Sequence, residues 1–409
     1  MICLYCEDKP VYTYLLMLKF KCFILTLLLF CAIDIWAQIP QVGNPTKEDI
    51  EKADSTLQSA PKSKNFMFTP YVAPSYSPEL QFLFSAGGLM SFKVQPDNPI
   101  VERSSIPFSV GYSSNGSTAI SILPYIYGKN DSYRILTQFY FKDMPDNYWG
   151  VGFEAGDRVS QPDSTTNYHR LWWSVEGKIV KKISKGFFIG ISYDINQTKA
   201  GNLNSYMKED KYIKEYGKDI SNVGLGLVIE LDHRDNAQNA YNGYLLSLAL
   251  TEYNKIITSS NNEFAKLTFD ARKYFPLHDR KTLAIQVKTQ FADGDVPWSD
   301  LPQLGTPFDL RGYQWGRYRD KTALFGLVEY RHMFNRKTPN KNGNYTSPAG
   351  FVLWAGTGSV APAYNKMNDW LFNAGVGFRL EIQPRMNVRI DYGIAKDNQA
   401  FYITFSEAF

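Results

Sequence analysis

Stretches of roughly ten residues in which apolar and polar side chains alternate recur from residue 79 to the end of the chain. In one of them, Val223, Leu225, Leu227, Ile229 and Leu231 alternate mainly with glycine and acidic residues. Successive side chains of a β-strand point to opposite faces, so this period of two indicates strands with one apolar and one polar face. Turn residues separate the stretches, and we find no long amphipathic helix between them. The pattern therefore predicts an all-β fold.

We count 16 alternating segments and interpret them as the strands of an antiparallel transmembrane β-barrel. They begin near residues 79, 105, 117, 133, 148, 167, 186, 221, 243, 261, 281, 322, 350, 370, 386 and 400. An even number of strands returns both ends of a barrel to the same side of the membrane, as in bacterial single-chain barrels. A soluble β-sandwich also has one apolar and one polar face per sheet, so alternation alone does not decide between the two folds. The strand count, an export signal and the form of the last strand favour the barrel.

The connections between these segments differ in length. Asn115-Gly116 is a two-residue hairpin signal, and the strand count places it on the periplasmic side. The long connections 199–220 and 294–321 fall on the outer side, where such barrels carry their longer loops. The connection 335–349 is long for a periplasmic turn and does not fit this plan.

The first 37 residues are typical of a secretory signal peptide. A basic start at Met17 is followed by the apolar run Cys22–Ile33 and a short cleavage-like segment before Gln38. An uncleaved anchor is the alternative, and the sequence before Met17 is consistent with a true start at that residue. We expect residues 38–78 to form a periplasmic linker and residues 79–409 to form the outer-membrane barrel.

The cysteines support export, because all four lie in this leader. They are Cys3, Cys6, Cys22 and Cys31, so a mature chain from Gln38 would contain none. Cys3 and Cys6 have the spacing of half a zinc site, but no second pair follows them. We therefore predict no metal and no other cofactor. The net charge of +4, without a run of like charges, gives no sign of a nucleic-acid partner.

The last segment alternates apolar residues up to the final position of the sequence, at Phe401, Ile403, Phe405 and Phe409. A terminal aromatic residue on an amphipathic last strand resembles the signal by which outer-membrane barrels are recognised for assembly. We therefore predict Phe405 and Phe409 as an assembly signal and the barrel assembly machinery as a partner. An ordinary edge strand is the alternative interpretation.

The connection between the eleventh and twelfth segments contains the sequence Leu310-Arg311-Gly312-Tyr313. An Arg-Gly-aromatic triplet in this setting resembles the inward-folded loop of the BamA/TamA superfamily of outer-membrane barrels, the bacterial surface antigen family. A second similarity lies before the ninth segment, where Asp232, Arg234, Asp235 and Asn236 resemble the turn motif of that family. The resemblance extends from about residue 227 to residue 409. It implies a short member of the family without periplasmic POTRA domains.

The resemblance also implies that the extracellular loop folds inward and places Arg311 against the inner wall. The family commonly supplies an aspartate partner from the thirteenth strand, but Trp354 stands at the matching position here. Trp354 could stack on the guanidinium as a cation–π contact. Glu329, Glu381 and Asp391 are the other candidate partners, because a carboxylate suits the planar guanidinium.

Three functions remain open from the sequence. The resemblance implies assistance in inserting or exporting outer-membrane or surface proteins, with a client or periplasmic protein and outer-membrane lipid as partners. The second possibility is a passive pore or structural barrel that the loop plugs. An enzyme acting on lipid is the third and weakest, since no nucleophile motif or metal-ligand cluster is present and we predict no catalytic residue.

Overall fold

Antiparallel β-strands form most of the described chain. The computed structural model describes residues 65–77, 81–98, 101–114, 116–158, 166–254, 262–336, 338 and 346–409. The predicted signal peptide and the predicted linker up to residue 64 lie outside these residues.

The strands of the first half are β1 (Phe66–Ser77), β2 (Gln81–Phe92), β3 (Ser104–Ser113), β4 (Thr118–Ile122), β5 (Tyr125–Tyr127), β6 (Tyr133–Asn147), β7 (Asn167–Ser184), β8 (Phe187–Gly201) and β9 (Asp219–Asp232). Those of the second half are β10 (Gly243–Tyr253), β11 (Phe264–His278), β12 (Lys281–Gly294), β13 (Gln303–Leu304), β14 (Tyr318–Arg319), β15 (Thr322–Asn335), β16 (Thr346–Ala361), β17 (Leu371–Gln383), β18 (Met386–Ala395) and β19 (Gln399–Phe405). Short helices lie in the connections: α1 (Phe153–Asp157), α2 (Ser205–Glu209), α3 (Lys211–Tyr216) and two 3₁₀ turns (Lys129–Asp131 and Tyr364–Lys366).

Each long strand pairs with the next one along the chain, from the β1–β2 ladder to the β18–β19 ladder. Together they form a 17-stranded sheet, and β13 and β14 form a separate ribbon inside the connection between β12 and β15. Strands β4 and β5 share one position, because both pair with β3 on one side and β6 on the other. The 17 strands therefore occupy 16 positions in the sheet.

The predicted total of 16 is right, but it results from two errors that cancel. Strand β1 lies within the predicted linker, so the predicted start of the barrel at residue 79 is too late. Pro70 and Pro74 interrupt the alternation of β1, and proline is a signal against a central strand. The segment predicted at Tyr148 is not a strand: Tyr148 and Trp149 are buried in the connection that precedes α1.

The two faces of the sheet are inverted relative to a soluble protein. On β9, Leu225, Leu227 and Ile229 are exposed, with Leu227 at 68%, whereas Glu230 and Asp232 are buried on the opposite face. Apolar side chains that point outward and buried charges that point inward are the arrangement of a membrane barrel. No helix among the described residues is both long and apolar enough to cross a bilayer.

The connections separate into a short-turn end and a long-loop end. Strands β7 and β8, β11 and β12, and β17 and β18 meet through two residues each at the short-turn end. Among the described residues, the long-loop end carries the connections 148–158, 202–218 and 295–321. Of the predicted Asn115-Gly116 turn, the structure describes Gly116, which follows β3. Strand β3 runs in the same direction as β12, so Gly116 lies at the long-loop end and the predicted periplasmic placement is wrong. The missed strand β1 is the reason, because it reverses the direction expected for the first strands.

Candidate functional site: the inward loop

Residues 295–321, which we call the inward loop, pack against the polar inner face of the sheet. Its side chains Trp298, Leu310, Arg311 and Tyr318 are all fully buried. Its tip, residues 305–313, is organised by Asp309, whose Oδ1 accepts hydrogen bonds from the amides of Gly305 and Thr306 at 2.7 and 2.9 Å. Burial raises the pKa of Asp309, while these hydrogen bonds act in the opposite direction. The tip is therefore a preformed turn.

Arg311 projects from this tip into a site without solvent access. Its Nη1 lies 2.6 Å from Oδ2 of Asp391 on β18, and its Nη2 donates to Glu329 on β15. All three side chains are 0% exposed. Burial of a charge is costly unless it is paired and hydrogen-bonded, and here two carboxylates from separate strands share one guanidinium.

Trp354 on β16 covers the face of the same guanidinium. The Arg311 Cζ atom lies 3.8 Å from the ring centre of Trp354, within the range of a cation–π contact. Gly375 on the neighbouring strand makes room for the indole, because a Cβ atom there would lie 2.2 Å from Cζ2 of Trp354.

The backbone of the loop also contacts the sheet directly. The carbonyl of Arg311 accepts a hydrogen bond from Nδ2 of Asn373 at 2.7 Å, and the amide of Gly312 donates to the hydroxyl of Tyr402 at 3.1 Å. Gly312 has a φ of 110°, which side chains rarely adopt. Opposite it, a Cβ atom on Gly393 would lie 2.7 Å from the carbonyl oxygen of Arg311. Two glycines thus allow loop and strand backbones to approach.

A larger ionic network surrounds Arg311. It contains the guanidinium groups of Arg311, Arg331, Arg379 and Arg389 and the carboxylates of Glu329, Asp391 and Glu407. Arg379 bridges Asp391 and Glu407 at 2.6 and 2.8 Å. Burial acts to raise the pKa of Glu407, but Arg379 and Arg331 outweigh it and the pKa is lowered. Arg331 also donates to the oxygen of Phe409 at 3.0 Å, which brings a further acceptor into the network.

The structure places the predicted partners of Arg311 in two regions. Glu329, Asp391 and Trp354 all contact it, whereas Glu381 lies at the short-turn end and pairs with Arg280 at 2.8 Å. Tyr313, the last residue of the loop motif, donates from its hydroxyl to the carbonyl of Phe372 at 3.1 Å.

The predicted turn motif lies at the short-turn end. Asp232 pairs with Arg234 at 2.8 Å and with Arg134 of β6 at 2.6 Å. Asn236 donates to Glu102 at 2.7 Å. Asp235 accepts from the amides of residues 241 and 242 and pairs with Arg385. These four residues join the turn to three other parts of the chain but do not contact the inward loop.

The end of the chain differs from its predicted alternation. Strand β19 stops at Phe405, Ser406 adopts a φ of 65°, and the following residues turn to the inside. Phe409 is buried, and the Arg331 Cζ atom lies 4.8 Å from its ring centre. Phe409 is therefore not a residue of the last strand. Its predicted role in assembly, with that of Phe405, stays a prediction.

Sequence reasoning missed two further contacts of the inward loop. Trp315 reaches β6 and β7, where Lys142 Nζ lies 3.9 Å from its ring centre and Trp172 packs edge-to-face at 5.6 Å. Asp300 accepts hydrogen bonds from β8, β9 and β11. A tryptophan and an aspartate in a loop carry no local signal of a distant partner, although Trp315 follows the recognised motif closely.

Strands β1 and β19, the first and last strands of the sheet, lie next to each other along a seam. Among the described residues, no backbone ladder joins β1 to β19. Side chains meet there instead: the rings of Tyr71 and Phe405 pack edge-to-face with centres 4.8 Å apart. Gln383 of β17 donates to Thr69 of β1 at 2.9 Å and accepts from Ser91 of β2 at 2.5 Å.

Comparison with known proteins identifies related sequences and folds. The Omp85 superfamily domain matches residues 105–409. BamA from Haemophilus ducreyi lacking POTRA domains 1–3 aligns at a TM-score of 0.51 and 12% identity, covering 84% of this chain and 69% of that one. CdiB from Escherichia coli aligns at 0.50 and 10% identity, covering 85% and 62%. No curated protein matches the sequence.

Within the described residues, no group of three or more histidine, cysteine, aspartate or glutamate side chains could hold a metal ion.

Proposed function

Since the chain belongs to the Omp85 superfamily of bacterial outer-membrane β-barrel proteins, we propose that it helps to insert proteins into the outer membrane or to move them across it. The observation that carries this proposal is the seam between β1 and β19. An edge strand with unpaired backbone groups can pair with a strand of another protein. Opening a seam held by side-chain contacts requires less free energy than separating two strands joined by a continuous ladder of backbone hydrogen bonds.

The contacts of Gln383 support a seam that can open. Its side chain is 2% exposed, and it donates to the carbonyl of Leu89 at 3.0 Å in addition to its bonds with Thr69 and Ser91. Arg103 donates to the hydroxyl of Ser91 at 3.1 Å and extends this contact. Neutral hydrogen bonds each contribute about 0.5–1.5 kcal/mol, so the contacts of Gln383 are weak beside a strand ladder.

A disulfide across the seam tests the proposal. Residues 32–409 contain no cysteine, so Ser91→Cys combined with Gln383→Cys introduces a defined pair into the barrel. The matched control is Ser109→Cys with Ser121→Cys, whose hydroxyls lie 2.8 Å apart within the β3–β4 ladder. Both pairs are oxidised in cells that depend on the variant, and the proteins of the outer-membrane fraction are quantified.

We expect the seam pair, but not the control pair, to deplete a subset of outer-membrane or surface proteins. A reducing agent should restore them. An unchanged set of proteins in cells with a fully oxidised seam would overturn the proposal.

A passive, plugged barrel is the second candidate, and the packing of described residues at the long-loop end favours it. Trp298 of the inward loop is fully buried against Tyr148 and Tyr168, with ring centres 5.5 and 6.0 Å away, and α2 contributes the buried Met207. The full chain should then conduct little in a planar bilayer, and deletion of residues 305–319 should enlarge the conductance. A large conductance in the full chain would exclude a plug.

A further inference from the structure

Asp300 occupies the first arm of the inward loop, residues 295–301, well before the Arg311 tip. Its carboxylate accepts four side-chain hydrogen bonds. The donors are Asn196 at 3.0 Å, Asn222 at 2.8 Å, Lys266 at 3.2 Å and Ser299 at 2.7 Å. The Asp300 side chain is 3% exposed. A buried carboxylate with donors on both oxygens, one of them a cation, meets the requirement for stable burial of a charge.

The donors to Asp300 come from a different part of the sheet than the partners of Arg311. Asn196 lies on β8, Asn222 on β9 and Lys266 on β11, whereas Arg311 contacts β15, β16 and β18. No residue takes part in both sets of contacts. The two polar sites therefore attach the loop to separate groups of strands.

Neighbouring residues strengthen the attachment of this arm. Val296 and Trp298 are both 0% exposed, and the indole Nε1 of Trp298 donates to the carbonyl of Gly217 at 3.0 Å. Asn196 also donates to Asp194 at 3.0 Å, and Lys266 lies 3.6 Å from the same carboxylate. The donors to Asp300 are thus held in place by groups on the sheet.

We infer that Asp300 is a second anchor of the inward loop, which holds the first arm against β8, β9 and β11 independently of Arg311. Release of Arg311 then frees the tip, while the first arm stays in place. This inference concerns the attachment of the loop and does not depend on the proposed role in protein insertion.

Labelling of single cysteines tests the two anchors separately. The full chain is used with its four leader cysteines replaced by serine. Val296→Cys reports on the first arm and Leu310→Cys on the tip, since both native side chains are 0% exposed. Each reporter is combined with Asp300→Ala, with Arg311→Ala or with the control Asp295→Ala, which removes an exposed carboxylate from the same arm. The rate of reaction with a membrane-impermeant maleimide is measured on folded, heat-modifiable protein.

We expect Asp300→Ala to raise labelling at position 296 by about tenfold or more and labelling at position 310 by less than about twofold. Arg311→Ala should have the opposite selectivity, and Asp295→Ala should change neither rate. Equal labelling in Asp300→Ala and Asp295→Ala, or a joint rise at both positions, would overturn the inference.

Asn196→Ala provides the second test if Asp300→Ala does not fold. It removes one donor on β8 and leaves the carboxylate of the loop and its other three donors unchanged. Labelling at position 296 should rise in the same sense by a smaller factor, with position 310 unaffected. No rise at position 296 would count against the anchor.

Discussion

The guanidinium carbon of Arg311 lies 3.8 Å from the ring centre of Trp354. In the family that the loop motif resembles, an aspartate is the common partner at that position. Here the carboxylates come instead from Glu329 and Asp391 on other strands, and the indole covers the remaining face. The arginine is therefore paired through different residues, and these contacts define the expected behaviour of variants.

Replacing Arg311 by alanine should loosen the tip of the loop without unfolding the barrel. After the change, Arg331 still pairs with Glu329, and Arg379 still pairs with Asp391 and Glu407, so each of these carboxylates keeps a cation. We expect proteolysis between Gly305 and Asp320 to rise by about tenfold or more, as for the loss of about 1.4 kcal/mol of anchoring. Arg311→Lys should cleave at an intermediate rate, because an ammonium group cannot form the two-sided contact of a guanidinium. Cleavage of intact cells by an added protease measures the effect, and unchanged cleavage would show that this residue does not hold the loop.

A methyl group on Gly393 should displace the loop from the sheet. The added Cβ atom would lie 2.7 Å from the Arg311 carbonyl oxygen and 3.0 Å from the Gly312 amide, so the loop backbone must move. We expect Gly393→Ala to increase cleavage of the tip as Arg311→Ala does. Gly326→Ala is the matched control in β15, since its Cβ atom would meet its nearest neighbours at 3.7 Å, an ordinary contact. Equal cleavage of the two alanine variants would contradict the close approach at Gly393.

The position of Trp354 over the Arg311 guanidinium predicts a difference between two of its substitutions. Aspartate and asparagine have nearly the same shape, and both remove the indole and its cation–π contribution of about 0.5–2 kcal/mol. Only the aspartate supplies a further carboxylate beside the Arg311 guanidinium. We expect the tip to be held more tightly in Trp354→Asp than in Trp354→Asn. Proteolysis of the tip should be slower, and the temperature at which heating changes the gel migration should be higher. Identical behaviour would indicate that packing, and not charge, decides the contribution of this position.

The stabilising contribution of the Glu407 carboxylate should be lost in acid. Burial acts to raise the pKa of its carboxyl, but Arg379 and Arg331 lower it below the ordinary value of 4.5. Its contribution is therefore fully present above pH 4.5 and is lost as the pH falls through the lowered pKa of the folded state. We expect Glu407→Gln to lower the temperature of heat modification at neutral pH, corresponding to about 1–3 kcal/mol. The difference between variant and native protein should shrink on acidification, and a difference that does not depend on pH would contradict this assignment.

Part of the inward loop's environment could be predicted from the sequence, because alternation identifies which residues of a strand point inward. That pattern made Glu329 and Asp391 candidates for Arg311, and both contact it. It also made Glu381 a candidate, although this residue lies toward the short-turn end and pairs with Arg280. The period of two predicts which face of the sheet a side chain is on. It does not predict the height along the strand at which a loop residue contacts that face.

The seam and the turn at the chain end show the same limit. Gln383 and Ser91 lie far apart in the sequence, and no local pattern relates them. Phe409 is in phase with the apolar residues of β19, although Glu407 interrupts the pattern, and the positive φ of Ser406 turns Phe409 away from the strand. A pattern of residue types does not predict a change of backbone direction at one residue.

The sequence by itself determined the inside-out β-architecture, the family and the position of Arg311 in its loop. These follow from side-chain alternation and from a local motif, both of which are properties of neighbouring residues. Only the tertiary structure decided that β1 begins at Phe66, that Asp300 is bound by three distant strands, and that Trp354 stacks on Arg311. These contacts depend on strand register and on the path of the loop across the inner face, which form only when the whole sheet is assembled.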